Sequence, residues 1–181
     1  MRHAVDRTRW QSPVGPLEFR GEMGKITSLR FIPKPRLKEQ GRKGSRDFPA
    51  QVRARLSRPL VMALSQMDEY FKRRRLSFEL PLAPKGTSFQ RNVWKKILDI
   101  PYGDTRSYRE LAASAGCPQA VRACAWACAR NPLPILVPCH RVIHANGVIS
   151  GYAGGNWRKA WLLAHERNKS LSPQGCLLPD A

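Results

Sequence analysis

The chain holds no C-x-x-C pair, and its five cysteines, Cys117, Cys124, Cys128, Cys139 and Cys176, are an odd number without a regular spacing. A fully paired disulfide scaffold is excluded, and so is a zinc-finger ligand set. Cys124 and Cys128 share a helix face at i and i+4, yet neither a histidine nor a second cysteine pair accompanies them. Small buried side chains in a reducing cytosol are the expectation there. No hydrophobic run approaches the ~20 residues that a membrane-crossing helix requires. Met1 to Trp10 interleaves Arg2, Asp6, Arg7 and Arg9 with apolar residues and has no signal-peptide core. The protein is therefore expected to be soluble and to stay where it is made. No internal repeat is visible. Acidic residues are also scarce, 13 against 32 basic ones, for a formal net charge of +19.

What is present suffices for a core. The chain has 181 residues, 42% of them hydrophobic, and five tryptophans, enough for one domain or two small ones and too many for global disorder. Up to residue 84 there are 19 basic and 8 acidic residues, and after it 13 and 5, so the two parts carry +11 and +8. Such a field gathers polyanions, nucleic acid above all, and speeds encounter with them. The bland alternative is a solvated basic surface. Lys72-Arg73-Arg74-Arg75 fits that alternative, as cations at the end of a helix.

Punctuation along the chain predicts a small α/β unit over 1–84, an antiparallel sheet plus helices, followed by a mainly α unit over 85–167 and a tail over 168–181. Ser12-Pro13-Val14-Gly15-Pro16 reads as a turn, Leu17-Glu18-Phe19 and Ile26 to Ile32 as extended segments, and Gly21-Glu22-Met23-Gly24 as the connection between them. The Pro-, Gly- and Lys-rich stretch 33–50 reads as a long mobile loop. Ser57 is a candidate N-cap for a helix burying Leu60, Leu64, Met67 and Phe71, and 81–86 reads as a linker.

The second unit opens with capping-box spacing at Thr87 and Gln90, before a helix facing inward with Phe89, Val93 and Ile97. Pro101-Tyr102-Gly103-Asp104 makes a turn. Ser107 and Glu110 repeat the capping-box pattern, for a helix through Ala115 that Gly116 ends. Pro118 suits the first position of a further helix to about Arg130. Two short helices about Gly116-Cys117 predict a helix-turn-helix, a shape shared with structural bundles. Leu133 to Val137 reads as extended, Asn146-Gly147 as a tight turn, 151–155 as a glycine-rich loop, and Asn156 as the cap of a last helix reaching Glu166.

Pro138-Cys139-His140 carries the sharpest chemical signal. A thiol attacks as thiolate, and its unperturbed pKa near 8.5 leaves little thiolate at neutral pH. A neighbouring base or cation is needed, and His140 or Arg141 can supply it. Adjacent residues on a strand point apart, so the pair can cooperate only if the backbone turns here. A buried structural cysteine beside a surface histidine is the alternative.

The run from Asn131 to Ile143, NPLPILVPCHRVI, resembles the active-site signature of the O6-alkylguanine-DNA alkyltransferases, the methylated-DNA–protein-cysteine methyltransferases. Ile100-Pro101-Tyr102-Gly103, Ser107-Tyr108 with Glu110-Leu111-Ala112, Arg122-Ala123, Gly151-Tyr152 with Gly154-Gly155, and Leu162-Leu163 with Glu166 agree in order. Ser12 to Leu17 resembles the start of the family's variable N-terminal domain. The likeness spans roughly 12–167 and is strong from about 87 onward. It implies a winged-helix-like C-terminal domain, a monomer, and a cytoplasmic location, with the nucleoid if bacterial. The partner it implies is double-stranded DNA containing O6-alkylguanine. It further implies Cys139 as nucleophile and permanent alkyl acceptor, His140 as base through a water, Glu166 orienting the imidazole, and Asn131 bracing the turn. Tyr108 would hydrogen-bond the guanine and assist its departure, and Arg122 would fill the gap left by a flipped nucleotide. Arg109 and Ala123 would also lie against the DNA. Backbone groups at Cys139, Val142 and Ala153 would read the flipped base. No metal and no cofactor is expected.

The pattern is departed from at Trp126, where the family usually has a small residue, and at Ala153, where some members have serine. Each role has its plain counterpart: Glu166 as a helix-end charge, Tyr108 as a core aromatic, Arg122 as a phosphate contact. Rival readings are an alkyltransferase-like protein that binds lesions without transfer, a helix-turn-helix regulator and a Cys-His hydrolase. Such lesion binders typically have tryptophan in place of the nucleophile. The regulator leaves Cys139, His140 and Glu166 unexplained, and the hydrolase lacks a second histidine.

Overall fold

The computed structural model describes residues 6–33 and 55–167, so the loop expected over 33–50 (beyond residue 33) and the tail 168–181 lie outside the described residues. The chain divides after Pro84 into two compact units.

In the first unit, β1 (Asp6–Ser12), β2 (Gly15–Glu22) and β3 (Lys25–Phe31) form an antiparallel meander in that order. The sheet thus begins eleven residues before the first predicted extended segment, which starts at Leu17. Alternation in β1 turns Thr8, Trp10 and Ser12 inward and Arg7, Arg9 and Gln11 outward, a period of two that its arginines mask in a simple hydrophobicity scan. The connection between β2 and β3 narrows to Met23 and Gly24, both at positive φ (51° and 71°), as a two-residue hairpin turn matched to strand twist requires.

Helix α1 (Arg58–Phe71) buries Leu60, Ala63, Leu64, Met67 and Tyr70, in the same unit as Trp10, Leu17, Phe19, Ile26 and Leu29 of the sheet. Each such aliphatic or aromatic side chain contributes about 1.5–3 kcal/mol on burial. Ser57 holds the N-cap position without a side-chain hydrogen bond, and Pro59 supplies the pre-set φ of the first turn. The expected linker at 81–86 is partly sheet. Ile26 N–H donates to Pro81 O and Ala83 N–H to Ile26 O, both at 2.8 Å, which lays Leu82 against the β3 edge.

In the second unit, α2 (Ser88–Leu98) and α3 (Tyr108–Ser114) both start with complete capping boxes, at Thr87/Gln90 and Ser107/Glu110. The inward face of α2 is Val93, Trp94 and Ile97, with Phe89 only half-buried. Helix α4 (Val121–Ala129) starts three residues later than predicted. Pro118 sits instead in a turn closed by Ala120 N–H to Cys117 O at 2.8 Å, the second turn position that proline's fixed φ also suits. Two-residue strands β4 (Arg106–Ser107) and β5 (Val142–Ile143) pair in parallel. The last helix, α5 (Asn156–Glu166), is capped by Gly155 at φ 90°, so Asn156 is its first residue and not its cap. Among the described residues no helix is long and apolar enough to cross a membrane.

Candidate active site

The segment after α4 folds against expectation. Leu133 to Val137 is a buried turn and not an extended run: Val137 N–H donates to Leu133 O at 2.8 Å, and Ile135 sits at φ 73°. That backbone region is costly for a β-branched residue and persists only where the surroundings impose it. Asn131 does so. Its Oδ1 accepts from Leu133 N–H at 2.9 Å, while its Nδ2 donates to Val137 O at 2.8 Å and to Cys139 Sγ at 3.1 Å. One side chain therefore shapes the turn and grips the thiol.

Cys139, His140 and Arg141 then form a single 3-10 turn, all three buried. The turn that the Cys-His pair needs is present. Cys139 and His140 share a peptide bond and face different partners. His140, fully buried, places Nε2 2.8 Å from Glu166 Oε1. Arg141 does not serve the thiol, because its guanidinium binds Glu166 through Nε (2.8 Å) and Nη2 (3.0 Å) and donates to Ile100 O through Nη1 (2.6 Å). Gly103 N–H reaches Glu166 Oε2 at 3.2 Å, from a turn whose φ of 83° suits glycine. Glu166, at the end of α5, thus ties together the 100–103 turn and the 3-10 turn.

Electrostatics follow from burial. Burial alone would raise the Glu166 carboxyl, but His140 and Arg141 outweigh it and hold the group well below the usual carboxylate range. With Glu166 ionised, the neutral imidazole donates from Nε2, which leaves the lone pair on Nδ1. Nδ1 is buried and has no hydrogen-bond partner among the described residues. Burial lowers the His140 pKa below 6.5 despite the pull of Glu166. Burial also pushes the Cys139 thiol up to about 11, against the pull of Asn131 and Lys159. The thiol is therefore protonated at neutral pH beside a neutral imidazole.

Lys159 is the residue that sequence reasoning missed. It is 1% exposed and donates from Nζ to Ser150 O at 2.8 Å and Tyr108 Oη at 3.4 Å. A signal existed: Lys159, Leu162, Leu163 and Glu166 fall at i, i+3, i+4 and i+7, so a charge stands at each end of the buried stripe of α5. Tyr108, at the start of α3, is buried and its phenol is pushed up to about 12 by burial and by Cys128 and Cys139.

The remaining predicted residues are not part of these clusters. Arg109 on α3 and Arg122 and Ala123 on α4 are exposed, as is Ala153 in the glycine-rich loop, whereas Val142 is buried in β5. Cys124 and Cys128 face inward from α4, with Cys124 Sγ 3.9 Å from Cys117 Sγ.

The 6-O-methylguanine DNA methyltransferase DNA-binding domain model matches residues 88–168. A methylated-DNA–protein-cysteine methyltransferase of Methanosarcina barkeri is 41% identical over 158 residues, covering 87% of this chain and 94% of its own. The crystal structure of Mycobacterium tuberculosis O6-methylguanine methyltransferase superposes with a TM-score of 0.74 at 37% identity, covering 93% of this chain and 96% of that one. The M. tuberculosis OGT structure in complex with DNA gives 0.72 at 38% identity, covering 88% and 91%. Likeness at this level runs through both units and through the Cys139 turn, and the chain belongs to the methylated-DNA–protein-cysteine methyltransferase family.

Proposed function

We propose that the chain repairs O6-alkylguanine in double-stranded DNA by one irreversible transfer of the alkyl group to Cys139. The observation that carries this reading is a buried thiol gripped by Asn131 and followed in the chain by a histidine tied to Glu166 through Nε2, its Nδ1 having no hydrogen-bond partner among the described residues. A thiol held near 11 cannot wait as thiolate and must lose its proton as it attacks, so a neutral base is needed. His140 takes that proton through a water at Nδ1, and Glu166 stabilises the imidazolium formed.

Helices α3 and α4 act as a helix-turn-helix pair within a winged-helix-like unit, with α4 as the recognition helix. The target carbon lies inside the duplex, so the nucleotide is flipped out at a cost of a few kcal/mol. Arg122 enters the gap, and Arg109 and Ala123 lie against the backbone. Backbone groups at Cys139, Val142 and Ala153 read the extruded base. The Cys139 Sγ–carbon bond then forms as the carbon–O6 bond breaks, and its electron pair leaves with guanine. Tyr108, tethered by Lys159, hydrogen-bonds the departing base and helps it gain the proton it needs. The displacement is redox-neutral and balances without a cofactor. Its product is a thioether, which has no carbonyl for water to attack, so each molecule acts once.

Intact mass spectrometry tests this. Full-length protein incubated with a duplex containing O6-methylguanine is expected to gain one methyl group per molecule and no more, whereas Cys139→Ala gains none. Tight binding of the lesion without a mass change would make the chain a recognition protein instead.

A further inference from the structure

The outer face of α4 carries a side chain for which the transfer chemistry has no use. Cys124, Ala127 and Cys128 point inward, and helical periodicity puts Arg122, Trp126 and Ala129 on the opposite side. Arg122, Ala123, Ala129 and Arg130 are exposed, and Trp126 is 61% exposed, an unusual position for so large an apolar side chain. The Arg130 guanidinium lies 5.0 Å from the indole centroid, a cation–π contact that holds the ring and leaves most of it in water. The face therefore offers one aromatic ring between two arginines, with alanines beside it that let a partner approach closely.

Charge selects the occupant. Both flanking side chains are cationic, the whole chain carries +19, and the helix lies within the matched DNA-binding region. Aromatic rings framed by arginines on a basic surface are the means by which proteins hold unstacked bases. Along the helix axis Arg122 and Trp126 are about 6 Å apart, close to two base steps of about 3.4 Å each. Trp126 also lies between Arg122 and Asn131, which grips the nucleophile.

We propose that Trp126, braced by Arg130, stacks on a nucleobase of the duplex bordering the gap that the extruded nucleotide leaves. This rests on the reading of α4 as recognition helix. It makes Trp126 a second wedge, and a determinant of preference for damaged over intact DNA in place of general DNA affinity.

The test uses the full chain carrying Cys139→Ala, titrated with a lesion duplex and with its undamaged counterpart, each with 2-aminopurine beside the lesion position. Adding Trp126→Ala is expected to weaken lesion binding by about tenfold or more while leaving intact DNA and the salt slope nearly unchanged, since no phosphate contact is lost. Quenching of 2-aminopurine by the protein is expected to diminish, and Trp126→Phe to restore most of both effects. With Cys139 present, Trp126→Ala should still take the alkyl group from free O6-benzylguanine at the wild-type rate. Loss there too would signal a damaged helix, and the Phe variant would then decide: recovered lesion affinity supports the proposal and unrecovered affinity overturns it. Equal or tighter lesion binding by Trp126→Ala overturns it, and so does an equal loss on both duplexes. A loss confined to cooperativity between protein molecules overturns it in favour of a contact between copies. Failure of the transfer reading itself is separate, because it appears as unmethylated wild type.

Discussion

Glu166 shows how one side chain can unite a site. It accepts from His140, Arg141 and Gly103 N–H, so its removal strands a buried guanidinium and frees the imidazole to choose its tautomer. Glu166→Ala is expected to cost about 3–5 kcal/mol in urea unfolding and to slow transfer well beyond that loss. The pH dependence has a definite sign. Neutral His140 is the working form, and its pKa lies below 6.5. The transfer rate should stay level from about pH 8 down to 6.5 and fall only in more acid solution. In His140→Ala the rate should rise with pH instead, tracking ionisation of a thiol near 11. Stability shares the acid limit. Unfolded histidine binds a proton below 6.5 that buried His140 refuses, so folding weakens as pH falls through that value. It weakens again below 4.5, where the unfolded Glu166 carboxyl protonates first. Cys139, His140, Asn131 and Glu166 were legible through the order of motifs. The turn of Arg141 toward Glu166 was not, because its direction is set by the 3-10 backbone.

Among the elements, α4 matters most, since Asn131 follows its end by two residues. Trp94 of α2 donates from Nε1 to Ala127 O at 2.8 Å, satisfying a carbonyl in the last turn of α4 that has no helical partner. Trp94→Phe is expected to leave that oxygen buried and unpaired, costing about 1–3 kcal/mol. A lowered urea midpoint at unchanged slope would record it, with slower transfer as the companion effect. Among the described residues, sequence patterning located each α-helix because caps and apolar spacing are local signals. It misjudged elements whose conformation depends on distant partners. A short apolar run such as Leu133–Val137 reads alike as strand or buried turn, and only the Asn131 hydrogen bonds decide. Strand β1 was overlooked because it acquires its character by pairing with β2.

For the molecule as a whole, the +19 charge predicts how binding responds to salt. The logarithm of duplex affinity should fall linearly with the logarithm of salt concentration, with a slope near −0.9 per neutralised phosphate. Arg109→Ala is expected to weaken damaged and intact DNA alike and to reduce the slope by about one. Arg122→Ala should weaken damaged DNA selectively, and an unchanged slope would separate a wedge from a phosphate contact. Composition announced the polyanion, whereas the lesion was legible only through the motifs around Cys139.

The position of Glu166 has a further consequence for the timing of synthesis. It follows His140 by 26 residues, so a ribosome that has just joined the nucleophile to the growing chain has yet to make the carboxylate that prepares its base. A nascent chain therefore carries the thiol without the means to activate it. A reagent that works once is armed only when its last described helix is complete.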